Sequence, residues 1–201
     1  ASNVYVFETG RWKRVNVIKV GSLPHNIAFS RATGLAYVTN GGSKSISVVD
    51  TKTQKVVDEI VIPGEGIPHN LTVTPDGRVL VVTLKKTDRV AVVDLQQKTV
   101  VKWIPVSKGH HGVAVSPDGR WVYVSGFGSD VVTVIDTATW TVKTTIKVGK
   151  GPHGVKFSPK GQTAFVAVGK EDRVVVIDVS KHKVLRGIRT EGVPFWIGVK
   201  R

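Results

Sequence analysis

Five of the six histidines in this chain have a spacing that could do chemistry. His25, His69, His111 and His153 recur at steps of 44, 42 and 42 residues, and His110 doubles one of them. Neutral imidazole nitrogen is the commonest ligand for transition metals and serves haem iron as well, so four imidazoles around one axis could hold either. A structural reading competes with this one. In Pro24-His25-Asn26, Pro68-His69-Asn70 and Pro152-His153-Gly154 the proline fixes the chain's entry into the next strand. A glycine there permits close approach to a neighbour, the imidazole can bond a neighbouring backbone, and duplication would copy the histidine whether or not anything binds. In a wide ring the four side chains would also stand too far apart for the ~2.0–2.1 Å bonds that zinc requires. His110 replaces the proline of the other copies and is explained least by repetition. His182 follows Ser180-Lys181 in a turn and is expected in solvent.

The elements that must position these residues are themselves repeated. SKSISVVDT, TDRVAVVDL, SDVVTVIDT and EDRVVVIDV superimpose with Asp50, Asp94, Asp136 and Asp178 in register, and a step of 42 back from Asp50 reaches Glu8. After each histidine comes an apolar run, a turn such as Asp76-Gly77 or Asp118-Gly119, and a second apolar run. Each unit thus reads as four short strands: A after the Pro-His step, B after the Asp-Gly turn, C ending at the aspartate, and D in runs such as VKTTIKV. β-Branched residues abound, apolar and polar residues alternate in C and D, and no helical period is sustained.

Four-stranded units without helices to cover them pack by radial stacking into a propeller, which buries both faces of each sheet. The expectation is an all-β protein, a β-propeller of four-stranded antiparallel blades. Residues 1–20 would supply strands C and D of a split blade, residues 21–63, 64–106, 107–148 and 149–190 four complete blades, and residues 191–201 one strand A. Two arrangements satisfy that count: part of a larger propeller, completed by further blades of the same or another chain, and a closed five-bladed ring with one three-stranded blade. The turn aspartates have a structural role first, because their carboxylates bond the local backbone.

The B–C connections lie on the same face as the stepped histidines. They carry Lys44, Lys85, Lys86, Arg89, Lys170 and Arg173, and Lys108 and Lys150 precede the third and fourth histidine steps. These residues predict a basic rim at the channel mouth, suited to an anionic ligand or an acidic protein partner. Nucleophile-elbow, zinc-protease and phosphate-loop motifs are absent, so no catalytic residue is assigned. Asp58, Glu59, Glu65 and Glu191 are the carboxylates left outside the turns, too few for a paired-carboxylate hydrolase. The five tryptophans read as standing at differing repeat positions, so no basic strand interleaved with aromatics points to nucleic acid.

The run Tyr37-Val38-Thr39-Asn40, followed by SKSISVVDTKTQKVVDEI and GIPHNLTVTPDG, resembles the YVTN β-propeller repeat family. Later units depart from the name-giving motif, with VVTL, YVSG and FVAV in its place. The family is similar in turn to the d1-haem propeller of cytochrome cd1 nitrite reductase. The resemblance implies the propeller over essentially the whole chain and admits two functions. One is an exported, non-catalytic binding or scaffold module; the other is a haem- or metal-associated redox or electron-transfer protein using His25, His69, His110, His111 or His153. No cofactor is assigned between them.

Composition bounds the rest. The 201 residues carry 29 Lys+Arg against 15 Asp+Glu, a formal net charge of +14. With no cysteine, disulfides, zinc fingers, iron–sulfur clusters and thiol nucleophiles are excluded. A chain without methionine is expected to be a processed or excised product, and with the resemblance this points to the periplasm or the extracellular space. No segment approaches the ~20 apolar residues of a membrane span.

Overall fold

The computed structural model describes residues 2–200, and for His110 and His111 the main chain alone. Four antiparallel four-stranded meanders follow a two-stranded hairpin. The hairpin is β1 (Asn3–Glu8) and β2 (Lys13–Lys19). The first blade is β3 (Pro24–Phe29), β4 (Leu35–Asn40), β5 (Ser45–Asp50) and β6 (Lys55–Val61). The second is β7 (Ile67–Val73), β8 (Val79–Lys85), β9 (Arg89–Asp94) and β10 (Thr99–Pro105). The third is β11 (His110–Val115), β12 (Trp121–Gly126), β13 (Val131–Asp136) and β14 (Thr141–Lys147). The fourth is β15 (Pro152–Phe157), β16 (Thr163–Val168), β17 (Arg173–Asp178) and β18 (Lys183–Arg189). This is the β-propeller expected from the repeat. No helix among the described residues is long and apolar enough to cross a membrane.

Alternation along each strand sends successive side chains into different cores. In β12, Trp121 and Tyr123 pack with Phe157, Val166 and Ile177 of the fourth blade. Val122 and Val124, one residue out of step, pack with Val81, Val90 and Val92 of the second. The first and second blades meet through Tyr37, Ile46, Leu80 and Val82, and the hairpin covers the first blade's other face through Ile18, Ala36 and Val38. One isolated sheet could bury neither of its apolar faces, so the packing energy resides between blades.

The turns behave as their residue types require. Asp118 accepts hydrogen bonds from Ser116 Oγ (2.5 Å) and the Arg120 amide (3.1 Å), closing the A–B hairpin around Gly119 at φ +77°. In the C–D hairpins Asp50 Oδ1 accepts from the Thr53 amide (2.6 Å), and Asp94 Oδ1 from the Gln97 amide (2.7 Å). Hydrogen bonds donated by Thr53 hold the Asp50 carboxyl below the usual carboxylate range, chiefly the one from its amide.

One expected element is missing. Residues 191–200 form no strand, so the predicted strand A and the three-stranded fifth blade are not made. A strand A exists by laddering onto a strand B, and the β1–β2 sheet supplies only C and D. The tail instead runs beside β15, where the Phe195 carbonyl accepts from the Gly154 amide at 3.0 Å. Phe29 at one end of the described strands and Trp196 at the other are 63% and 51% exposed.

Candidate functional site

The stepped histidines stand at the start of the A strands, and the rings of His25, His69 and His153 are packed against other aromatic rings. The His25 ring packs on the His69 ring with centroids 3.6 Å apart and 34° between planes. The His153 ring packs in the same way on Phe195, 42 residues later, at 3.8 Å and 33°. Phe127 and Trp196 meet the His153 ring edge-on at 5.7 and 5.0 Å. His153 Nδ1 donates to the Phe195 carbonyl at 2.9 Å. His69 and His153 are 3% and 0% exposed, whereas His25 lies in solvent on one side. Burial holds both His25 and His153 below the ordinary imidazole range, and the Lys85 charge lowers His25 further. The side chains of His110 and His111, both candidates from the sequence, lie outside the described residues.

A hydroxyl on strand B ties the same step across blades. Thr39 Oγ1 accepts from the Asn26 amide (3.0 Å) and donates to the His69 carbonyl (2.7 Å) of the next blade. Ser125 repeats this, accepting from the Gly112 amide at 2.7 Å and donating to the His153 carbonyl. Thr83 accepts from the Asn70 amide at 3.0 Å, and Ala167 stands at the corresponding place in the fourth blade. The fourth blade and the tail approach so closely here that a Cβ on Gly154 would stand 2.7 Å from the Phe195 carbonyl oxygen.

The described A strands enclose a channel of about 800 Å³. Among the described residues it is lined from Asn26, Asn70, Val113 and Val155 down to Pro75, Pro117 and Pro159, with Arg31 and Lys156 as the charged residues and no histidine. Among the described residues no group of three or more His, Cys, Asp or Glu is placed to hold a metal ion. The described residues therefore do not fit a histidine-ligated haem in this channel: His69 and His153 would have to leave their packed positions to offer it a nitrogen.

Lys44, Lys86, Lys108, Lys150 and Lys170 are on the loops of the histidine end, Lys85 and Arg89 are at the strand ends beside them, and all seven are exposed. Lys44 Nζ donates to the Gly64 carbonyl at 3.2 Å, and Lys170 Nζ lies 5.2 Å from the Phe127 ring centroid. Arg173 is half-buried, donating to the Glu171 carboxylate (2.6 Å) and the Val148 carbonyl (3.1 Å). Asp88, Asp130 and Asp172 on the same loops dilute this charge. The outer strands are the more uniformly basic surface, with Lys13, Arg14 and Lys19 on β2 and Lys183, Arg186 and Arg189 on β18.

Sequence reading missed a second set of ties, at the outer ends of the blades. Trp12, Gln54, Lys98, Trp140 and His182 occupy one position of successive C–D turns, each left-handed, with φ of 53°, 54°, 56°, 51° and 50°. Two tryptophans thus share a repeat position, contrary to expectation. From this position side chains reach the preceding unit: Gln54 accepts from Asn16 at 2.9 Å, and Lys98 pairs with Asp58. His182 is half-buried, not solvated: its Nδ1 lies 2.7 Å from Tyr123 Oη, with Trp121 edge-on at 4.6 Å. Burial, then the Lys143 and Arg120 charges, lower the His182 pKa, and burial raises that of Tyr123. The signal was available, since these residues follow the turn aspartates at a constant offset.

Comparison with known proteins agrees with this architecture. A YNCE-like beta-propeller family model matches residues 1–120, and a cytochrome D1 heme domain model matches residues 74–196. Among solved structures, hydrazine synthase of Kuenenia stuttgartiensis superimposes with a TM-score of 0.76 at 30% identity, over 90% of this chain. The chain spans about half, 52%, of that chain's length. A functionally unknown protein from Desulfotomaculum acetoxidans superimposes with a TM-score of 0.86 over 100% of this chain and 67% of its own. At 18% identity that likeness shows the fold alone. A search of curated proteins finds no match.

Proposed function

We propose that this chain, which belongs to the YNCE-like β-propeller family and, over residues 74–196, to the cytochrome D1 heme domain family, is a non-catalytic binding or scaffold module with a basic face for an acidic partner. One observation carries the reading. The described groups best suited to chemistry are engaged in holding blades together, while Lys44, Lys85, Lys86, Lys108, Lys150 and Lys170 stand on one rim. Lysine there gives a long-range field that gathers anionic partners and weakens with salt. The module works outside the cytoplasm, in the periplasm or beyond. The frequent periplasmic setting of such propellers supports this.

The test is binding of a polyglutamate peptide, with a polyserine peptide as control, at two salt concentrations. A triple charge reversal of Lys85, Lys86 and Lys170 to Glu should abolish salt-sensitive binding, whereas reversal of Lys183, Arg186 and Arg189 on β18 should leave most of it. Equal loss from both variants would show that net charge alone is responsible and would overturn the reading. The d1-domain match favours a second reading, a haem- or metal-associated redox protein. A Soret band retained after incubation with haem and gel filtration would decide for it.

A further inference from the structure

The repeat breaks its 42-residue step once, and a cavity stands at the break. Pro68 follows Pro24 by 44 residues, while the D strands that precede the two prolines, starting at Lys55 and Lys13, keep the step of 42. The two added residues therefore lie between Val61 and Pro68. In the other blades the corresponding loop is tied to the B–C loop beside it, through bonds such as Gly41 N to Leu23 O (2.9 Å) and Gly169 N to Gly151 O (3.1 Å). In the second blade the tie is kept as the first rung of the β7–β8 ladder, between Ile67 and Lys85; the added length precedes it, with Gly64 and Gly66 at φ +82° and +111° and Gly66 close against Leu84 and Thr87. The space beside this loop is a cavity of about 600 Å³, bordered by Glu65, Thr87, Asp88, Arg89 and Trp103.

The chemistry of these walls is mixed in a specific way. Trp103 offers a half-buried indole, an apolar plane with one N–H donor. Glu65 and Asp88 accept hydrogen bonds and Arg89 donates them; Asp88 Oδ1 also takes the Gly109 amide at 3.2 Å. A small anion would meet the two carboxylates, and a small cation would meet Arg89 inside a protein of net charge +14. A neutral molecule with an apolar face and several hydroxyls, each both donor and acceptor, matches every wall. We propose that this cavity, which lies beside the two-residue insertion and shares Arg89 with the basic rim, is a saccharide-binding site.

The test uses nitrogen-15-labelled full chain and a panel of glucose, galactose, N-acetylglucosamine, cellobiose and diacetylchitobiose, each titrated to about 20 mM, which captures millimolar affinity. Tetramethylammonium chloride and sodium phosphate serve as the cationic and anionic probes. The expected result is saturable shifts for at least one sugar at the Gly64, Gly66 and Thr87 amides and the Trp103 indole. Glu65→Gln should weaken that binding about tenfold or more. Deleting Gly64 and Glu65 restores the loop length of the other blades, so the chain should keep its melting temperature while the Trp103 indole loses its response. The proposal is overturned if no sugar gives a saturable shift, if the deletion variant binds as well as the parent, or if only a charged probe saturates.

Discussion

Replacing His153 separates a packing role from a ligand role for the stepped histidines. In His153→Ala the protein loses a ring stacked at 3.8 Å on Phe195, edge contacts to Phe127 and Trp196, and the 2.9 Å bond to the Phe195 carbonyl. Aromatic contacts of this kind contribute about 0.5–1.5 kcal/mol each, the hydrogen bond a similar amount, and the void adds its own cost, giving about 3–5 kcal/mol. For a domain of this size that corresponds to a fall of about 6–20 °C in Tm. His153→Phe refills the space, and the Phe195 carbonyl keeps its second donor, the Gly154 amide at 3.0 Å, so the cost should be only about 1 kcal/mol. Thermal and urea unfolding followed by circular dichroism at neutral pH measures both. A Tm for His153→Ala within about 2 °C of the parent would refute the packing argument. The same series has a pH arm. The unfolded imidazole takes its proton near 6.5, whereas burial delays protonation in the fold to lower pH. Stability is therefore full above that value and falls as pH drops towards the folded pKa, by at most about 1.4 kcal/mol per pH unit from this group. His153→Phe should flatten that acid slope, and an unchanged slope would contradict the assignment.

Thr39→Val keeps the volume of the side chain but removes the acceptor of the Asn26 amide and one donor to the His69 carbonyl. It should cost about 1–3 kcal/mol, with faster hydrogen exchange at the Asn26 amide. Tyr123→Phe should cost about 0.5–1.5 kcal/mol by removing the bond to His182, and a double-mutant cycle with His182→Leu should show most of that loss shared; additive losses would mean the pair does not interact. Zn(II) or Cu(II) in about tenfold excess should leave Tm unchanged, since a ligand that binds only the folded chain must raise it. An increase of several degrees would restore the metal reading.

The repeat was legible because strand C ends in Val/Ile-Asp at a constant interval, and because an aspartate closing a hairpin acts within a few residues of itself. For the same reason the roles of Asp50, Asp94 and Asp118 could be read without a structure. The histidines could not be read in this way. Their spacing is equally regular, but a regular step says only that four rings share one place in four blades, and that place could face the axis or the next blade. His182 was misjudged on the same ground: its sequence neighbours are Ser180 and Lys181, while the groups it meets, Tyr123 and Trp121, stand about sixty positions away in another blade. The missing strand at residues 191–200 follows the same rule, since Pro194-Phe195-Trp196 has the register of a strand A and lacks the ladder that would make it one.

Local chemistry, then, determined the all-β class, the period, the hairpins and the place of the two-residue insertion, because each depends on residues close along the chain. Tertiary structure alone decided that the described stepped rings pack against other aromatic rings, that Thr39 and Ser125 bond the neighbouring histidine carbonyls, and that a cavity with Trp103 on its wall lies beside the insertion. Those outcomes depend on how closely two sheets approach each other. That distance is set by the packed side chains of both sheets together, and no single stretch of the sequence contains it.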